Sequence, residues 1–175
     1  KVSGYNHSEW VGMLRFRHLC RTIPTAGLPL AGQLQKRTES RRTRTMESRK
    51  ELAAEKKRCG SHNCTQSVLC TYCDLTGLDE ETIKHAGNCF AAGMGNGEGT
   101  CGSIVGAGIV YGLAVRDRAK AVKGMRQIME KFQERNGATR CKLLKGVGTG
   151  VVLRECPMCV SDASEFLEEL LEKEA

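Results

Sequence analysis

Fifteen consecutive residues, Cys101 to Val115, carry no charge. They read Cys-Gly-Ser-Ile-Val-Gly-Ala-Gly-Ile-Val-Tyr-Gly-Leu-Ala-Val, and Arg116-Asp117-Arg118 ends them. A helix that crosses a bilayer needs roughly 20 apolar residues, so no membrane span is expected here. The stretch predicts a helix buried at the centre of a core. Gly102 and Gly106, and Gly108 and Gly112, are four apart. Small residues at that spacing line up along a helix and let other backbones approach closely. Gly93, Gly95, Gly97 and Gly99 precede the helix, and Thr100 is the expected N-cap, because its hydroxyl can accept a free N–H of the first turn. Cys101 then falls in that first turn, where the helix dipole favours a thiolate. The glycine loop has no Gly-Lys-Ser/Thr ending and no clear strand before it. A phosphate cradle is therefore a poor reading. The loop more simply brings backbone close to Cys101 and its ligand.

The rest of the chain reads as helices in series. Residues 47–58 form a charged, solvated helix. Asn63 caps a helix from Cys64 to about Leu75, and Asp79 caps one over Glu80 to Ala91. Asp117 to Arg135 is amphipathic, with Ala121, Val122, Met125, Ile128, Met129 and Phe132 at the helical period. Thr139 is positioned to cap a short helix carrying Cys141, and Val151-Val152-Leu153 suggests a brief extended piece. Pro157 suits the first turn of a last helix opening at Cys156. The fold class expected is all-α, a compact bundle of about six helices around the buried glycine-rich one. Residues 1–45 fit none of this. Pro24, Pro29 and an Arg/Thr/Ser-rich run point to a disordered basic extension outside the native fold, with Met46 its native start and 46–175 the helical cysteine-rich domain.

The net charge of +7 sits entirely in that extension: residues 1–45 hold nine Lys/Arg against two Asp/Glu, and 46–175 hold eighteen of each. With no basic surplus in the domain, no nucleic-acid partner is expected. The chain has ten cysteines, nine of them between Cys59 and Cys159. A secreted disulfide scaffold would be small and loop-rich. A helical chain without a signal-peptide-like run reads instead as cytoplasmic, with cysteines used for metal, cluster or redox chemistry.

Cys64, Cys101, Cys141 and Cys156 each fall in or beside an expected helix start, on four different helices. Free amides and the dipole at such positions stabilise thiolates and anionic ligands. Four such starts meeting at one point would make a four-thiolate site.

The residues around these cysteines carry a resemblance. Cys64-Thr-Gln-Ser-Val-Leu, Gly99-Thr-Cys-Gly-Ser-Ile-Val-Gly, Thr139-Arg-Cys-Lys-Leu-Leu and Cys156-Pro-Met-Cys-Val-Ser-Asp-Ala are similar to the C-GCAxxG-C-C family of redox-active proteins. The four family cysteines fall on Cys64, Cys101, Cys141 and Cys156. The Cys-Gly-Ala-x-x-Gly element falls on Cys101, Gly102, Ser103 and Gly106, with Ser103 in place of alanine, a change expected to touch local packing only. The resemblance implies redox-active cysteines. It extends to the non-haem part of split-Soret cytochromes, which implies an iron–sulfur cluster with Gly99, Gly102 and Gly106 beside it. No Cys-x-x-Cys-His occurs, so no haem is expected.

Three functions stay open: an iron–sulfur protein for electron transfer or sensing, a metal-free thiol–disulfide protein, and a structural four-cysteine zinc site. Cys159, one turn after Cys156, reads as a bystander near the site, or as a resolving thiol or spare ligand. Cys70 and Cys73 read as small buried hydrophobes, or as a second set with Cys156 and Cys159. His85 and Cys89 read as a chelating spacing on one helix face, or as an ordinary pair. Cys59 reads as an exposed thiol. No Ser/His/acid arrangement stands out, so whether the chain is an enzyme stays open, as does the redox partner. The glycine pairs could also serve a homo-oligomer.

Overall fold

The computed structural model describes residues 47–174. The expected basic extension and its Cys20 lie outside the described residues. Seven helices follow one another: α1 (Lys50–Arg58), α2 (Cys64–Leu69), α3 (Glu80–Ala86), α4 (Gly102–Val115), α5 (Arg118–Asn136), α6 (Cys141–Leu144) and α7 (Cys156–Glu174). Short 3-10 turns cover Cys73–Leu75 and Asn88–Phe90. Among the described residues there is no strand, only one antiparallel bridge between Thr100 and Arg140. The all-α expectation holds. No described helix is long and apolar enough to cross a membrane.

The glycine-rich helix is central, as its missing charges require. No residue of α4 is exposed, and it packs against α2, α5 and α7. Ile104, Ala107, Val110 and Tyr111 enter a core shared with Val68, Leu69, Ile128, Phe132, Val160, Ala163, Phe166 and Leu167. Each large side chain among them contributes ~1.5–3 kcal/mol by leaving water. The glycines set how close the helices come. A Cβ on Gly106 would lie 2.8 Å from the Thr65 carbonyl oxygen and 3.0 Å from Val68 Cβ. Helix α2 therefore rests directly on the α4 backbone.

The first and last described helices pair along their length. Ala53 and Ala54, both fully buried, let α1 lie close on α7. A polar clasp fixes their register. Buried Glu168 of α7 accepts from the Tyr72 hydroxyl at 2.6 Å, the Arg49 backbone N–H at 2.6 Å and the Ser48 hydroxyl at 2.8 Å. These donors satisfy a carboxylate that would otherwise be costly to bury. At the other end of α7, Asp162 takes a two-pronged pair from Arg154, both bonds at 2.9 Å. That pair holds the segment leading into Cys156.

Several element boundaries differ from expectation. Helix α2 stops at Leu69, not near Leu75, because Thr71 N–H turns to the Val68 carbonyl in 3-10 fashion and Lys56 Nζ takes the Cys70 carbonyl at 2.9 Å. Helix α3 ends at Ala86. Residues 151–153 form no strand; the Leu153 N–H bonds to the Leu144 carbonyl at 3.0 Å and folds the loop back on α6. Asp79 and Asp117 cap α3 and α5, accepting from the Thr82 and Lys120 N–H groups.

Candidate redox cysteine centre

All four expected cysteines stand at helix starts. Cys64, Cys141 and Cys156 are the first residues of α2, α6 and α7, and Cys101 is the N-cap of α4. Asn63 makes a reciprocal capping box with Gln66 and so fixes the backbone at Cys64. Thr100 is not the cap of α4. Its residue pairs with Arg140 across the bridge, and the Cys101 N–H bonds to the Thr139 carbonyl at 2.8 Å. Thr139 likewise does not cap α6, whose N-cap is Arg140.

The glycine loop turns out to be the seat of α6. The Cys141 N–H bonds to the Gly99 carbonyl at 3.0 Å and the Lys142 N–H to the Gly97 carbonyl at 2.9 Å. Gly93 lies in left-handed space, with φ of 61°, and a Cβ there would stand 2.5 Å from Cys141 Cβ. Only glycine fits that position. The N–H groups at the start of α6 are thus taken by the loop and not left for a ligand. Gly102 and Gly106 press on α2: a Cβ at Gly102 would meet Thr65 Oγ1 at 2.6 Å and Cys64 Cβ at 3.3 Å. Gly99, Gly102 and Gly106 therefore place backbones around the sulfurs.

The thiols meet in pairs. Cys64 lies beside Cys156, and Cys101 beside Cys159. In the first pair Cys64, aided by Lys145 and Lys57, brings Cys156 down to about 6, against an ordinary value of 9.0. In the second, Cys159 and the neighbouring Ser103 bring Cys101 down to about 7 despite its burial. Their partners Cys64 and Cys159 move strongly upward, through the neighbouring sulfur and burial. The Cys159 thiol donates to the Arg154 carbonyl at 3.7 Å. Within each pair one cysteine therefore ionises more readily than the other. Cys141 is raised by burial and feels the charges of Cys101 and Cys156. Five sulfurs from α2, α4, α6 and α7 thus form one neighbourhood. Cys156 alone among them is only partly buried.

Two residues had more to do than the sequence suggested. Cys159 is 1% exposed and pairs with Cys101. The three-residue step from Cys156, which puts both on one face of α7, was the available signal. Ser103 is fully buried with Oγ 3.2 Å from Cys101 Sγ. The residue that departs from the family pattern therefore makes a polar contact with the Cys101 sulfur as well as packing in the core.

The other cysteines lie elsewhere. Cys159 faces Cys101, so it is not set with Cys70 and Cys73. Cys70 instead approaches His62 and Glu80. Cys89 belongs to a 3-10 turn beyond the end of α3, so it shares no helix face with His85, and both are exposed. Cys59 is exposed, as expected, with Sγ 3.1 Å from Ser61 Oγ.

Residues 62–170 match the family described as "Putative redox-active protein (C_GCAxxG_C_C)". The match spans all five clustered cysteines. No curated protein and no solved structure matches the chain.

Proposed function

Because the chain belongs to the C-GCAxxG-C-C family of redox-active proteins, we propose that its cysteine centre holds an iron–sulfur cluster through Cys64, Cys101, Cys141 and Cys156. The observation that carries this reading is the gathering of soft thiol donors from four helix starts into one mostly buried neighbourhood. The donor type suits iron–sulfur ligation. When bound, the cluster supplies reversible one-electron transfer.

The chain's own residues would tune that ligand. Lys57 and Lys145 face Cys156 and offset negative charge at the partly open side. The Ser103 hydroxyl, 3.2 Å from the Cys101 sulfur, would donate to a ligated thiolate there, and such donors raise the potential of a thiolate-bound centre. Burial of Cys64, Cys101 and Cys141 keeps water from three sulfurs.

The test is to purify the full chain without oxygen, measure iron and sulfide, and record the visible spectrum. Iron and sulfide in equal amounts, lost in Cys101→Ser and kept in Cys70→Ser, is the expected result. A chain that stays iron-free after anaerobic reconstitution overturns the proposal. The second reading is thiol–disulfide exchange, favoured by the neighbouring cysteines Cys64/Cys156 and Cys101/Cys159. In it, the Cys156 thiolate attacks a partner's disulfide, Cys64 resolves the mixed disulfide, and the partner leaves as a dithiol. An iron-free chain that forms a Cys64–Cys156 disulfide with a disulfide reagent would select it.

A further inference from the structure

We propose that His62, Cys70 and Glu80 form a second metal site, separate from the cysteine centre, that takes a Zn2+-class divalent cation. Their ligand atoms all lie within 4.8 Å of one another. Among the described residues this is the one group of three His, Cys or carboxylate ligands drawn so close. The three come from different pieces of the fold. His62 lies in the turn between α1 and α2, Cys70 is the C-cap of α2, and Glu80 is the first residue of α3. No sequence spacing announces the site, because folding of α2 and α3 assembles it.

The surroundings orient the imidazole. Ser61 Oγ donates to the Lys56 carbonyl at 3.1 Å and lies 2.8 Å from His62 Nδ1. With its proton spent on that carbonyl, the hydroxyl accepts from Nδ1–H. That leaves the Nε2 lone pair for a cation, the arrangement in which an outer-shell partner fixes the tautomer of a ligating histidine. Cys70 is 5% exposed and Glu80 is exposed, so the site opens to solvent on its carboxylate side. Three protein ligands leave one tetrahedral position for water.

The charges around the site select the kind of cation. Lys56 and Lys84 both face His62, and Lys56 reaches the Cys70 carbonyl. These two positive charges balance a Cys70 thiolate and the Glu80 carboxylate. A hard cation such as Ca2+ or Mg2+, held by charge and oxygen donors, gains little there. A cation that bonds covalently to thiolate and imidazole still gains, which points to Zn2+. Bound metal would tie the α1–α2 turn to the ends of α2 and α3.

The test uses the full chain, metal-free and reduced, titrated with Zn2+ and separately with Co2+ as a spectroscopic stand-in. His62→Gln and Glu80→Gln alter partly buried and exposed positions, so both variants should keep the fold by circular dichroism. Each should lose one equivalent of Zn2+ or weaken it at least about tenfold, as removal of one of only three protein ligands requires. Cys70→Ser should lose the thiolate-to-Co2+ absorption belonging to that equivalent. The same losses are expected in a Cys101→Ser background, which separates this site from the cysteine centre. Unchanged titrations in His62→Gln and Glu80→Gln overturn the proposal, whatever Cys70→Ser does. Displacement of Zn2+ by equal Ca2+ overturns the assignment of the cation.

Discussion

Gly106→Ala and Gly112→Ala make a paired test of how α4 is seated. Both replace a helical glycine by alanine, which alone stabilises a helix by ~1 kcal/mol. At Gly112 nothing lies within 4 Å of the added methyl group. That substitution should keep the full gain and raise Tm by about 3–5 °C for a domain of this size. At Gly106 the methyl group meets a backbone oxygen of α2 at 2.8 Å and Val68 Cβ at 3.0 Å. A backbone carbonyl cannot swing aside as a long side chain can, so α2 must move off. Overpacking of this kind costs ~1–3 kcal/mol. After the helix gain, Gly106→Ala should be less stable by up to ~2 kcal/mol, and its Tm should fall. Urea unfolding of the metal-free chain, followed by circular dichroism, reads both. Cys64 begins the helix that is pushed away, so its alkylation should also quicken in Gly106→Ala and stay unchanged in Gly112→Ala. If both substitutions stabilise alike, the close seating of α2 on α4 is wrong.

Other perturbations address the cysteines and their support. Ser103→Ala removes a hydroxyl from Cys101 sulfur; the Cys101 titration should rise from about 7 by about one pH unit, read by alkylation rate against pH, and no rise would remove Ser103 from the site. The thiol pairs also make stability depend on pH. Between about 6 and 9.0 the folded chain has already released the Cys156 proton that an unfolded chain still holds, so stability should climb with pH. Above 9.0 the folded chain keeps the Cys64 and Cys159 protons that an unfolded one loses, so stability should fall. A urea midpoint that does not change across that range, measured without metal, would refute unequal ionisation within the pairs. Arg154→Ala leaves buried Asp162 with only its longer 3.3 Å contact to Arg135. It should cost ~1–3 kcal/mol and speed modification of Cys156, whereas Arg154→Lys should recover part of both.

The helical architecture was legible because its signals are local. Asp79 and Asp117 cap the helices they precede, and Gly137 ends α5 in the left-handed conformation. The absence of charge over Cys101–Val115 gave the central helix. Helix-start placement picked out four of the clustered cysteines from ten. What stayed hidden depends on contacts between distant segments. Thr100 has the chemistry of an N-cap, but the pairing of Thr100 with Arg140 uses its backbone and moves the cap to Cys101. Cys159 looked like a spare because nothing in its own neighbourhood names Cys101 as its partner. The grouping of His62, Cys70 and Glu80 needed α2 to end at Leu69, where the periodicity suggested that it continued.

The clasp at Glu168 bears on when the centre can form. It ties Ser48 and Arg49 to a residue about 120 positions later. Helix α7 brings both Cys156 and Cys159, so neither thiol pair exists until that helix docks. Pairings over such separations close slowly compared with local helix formation. During synthesis Cys64 and Cys101 leave the ribosome well before their partners and must wait as unpaired thiols. Maturation of the centre is therefore a late step, and conditions that slow the docking of α7 on α1 would lengthen the time in which those thiols can be oxidised wrongly.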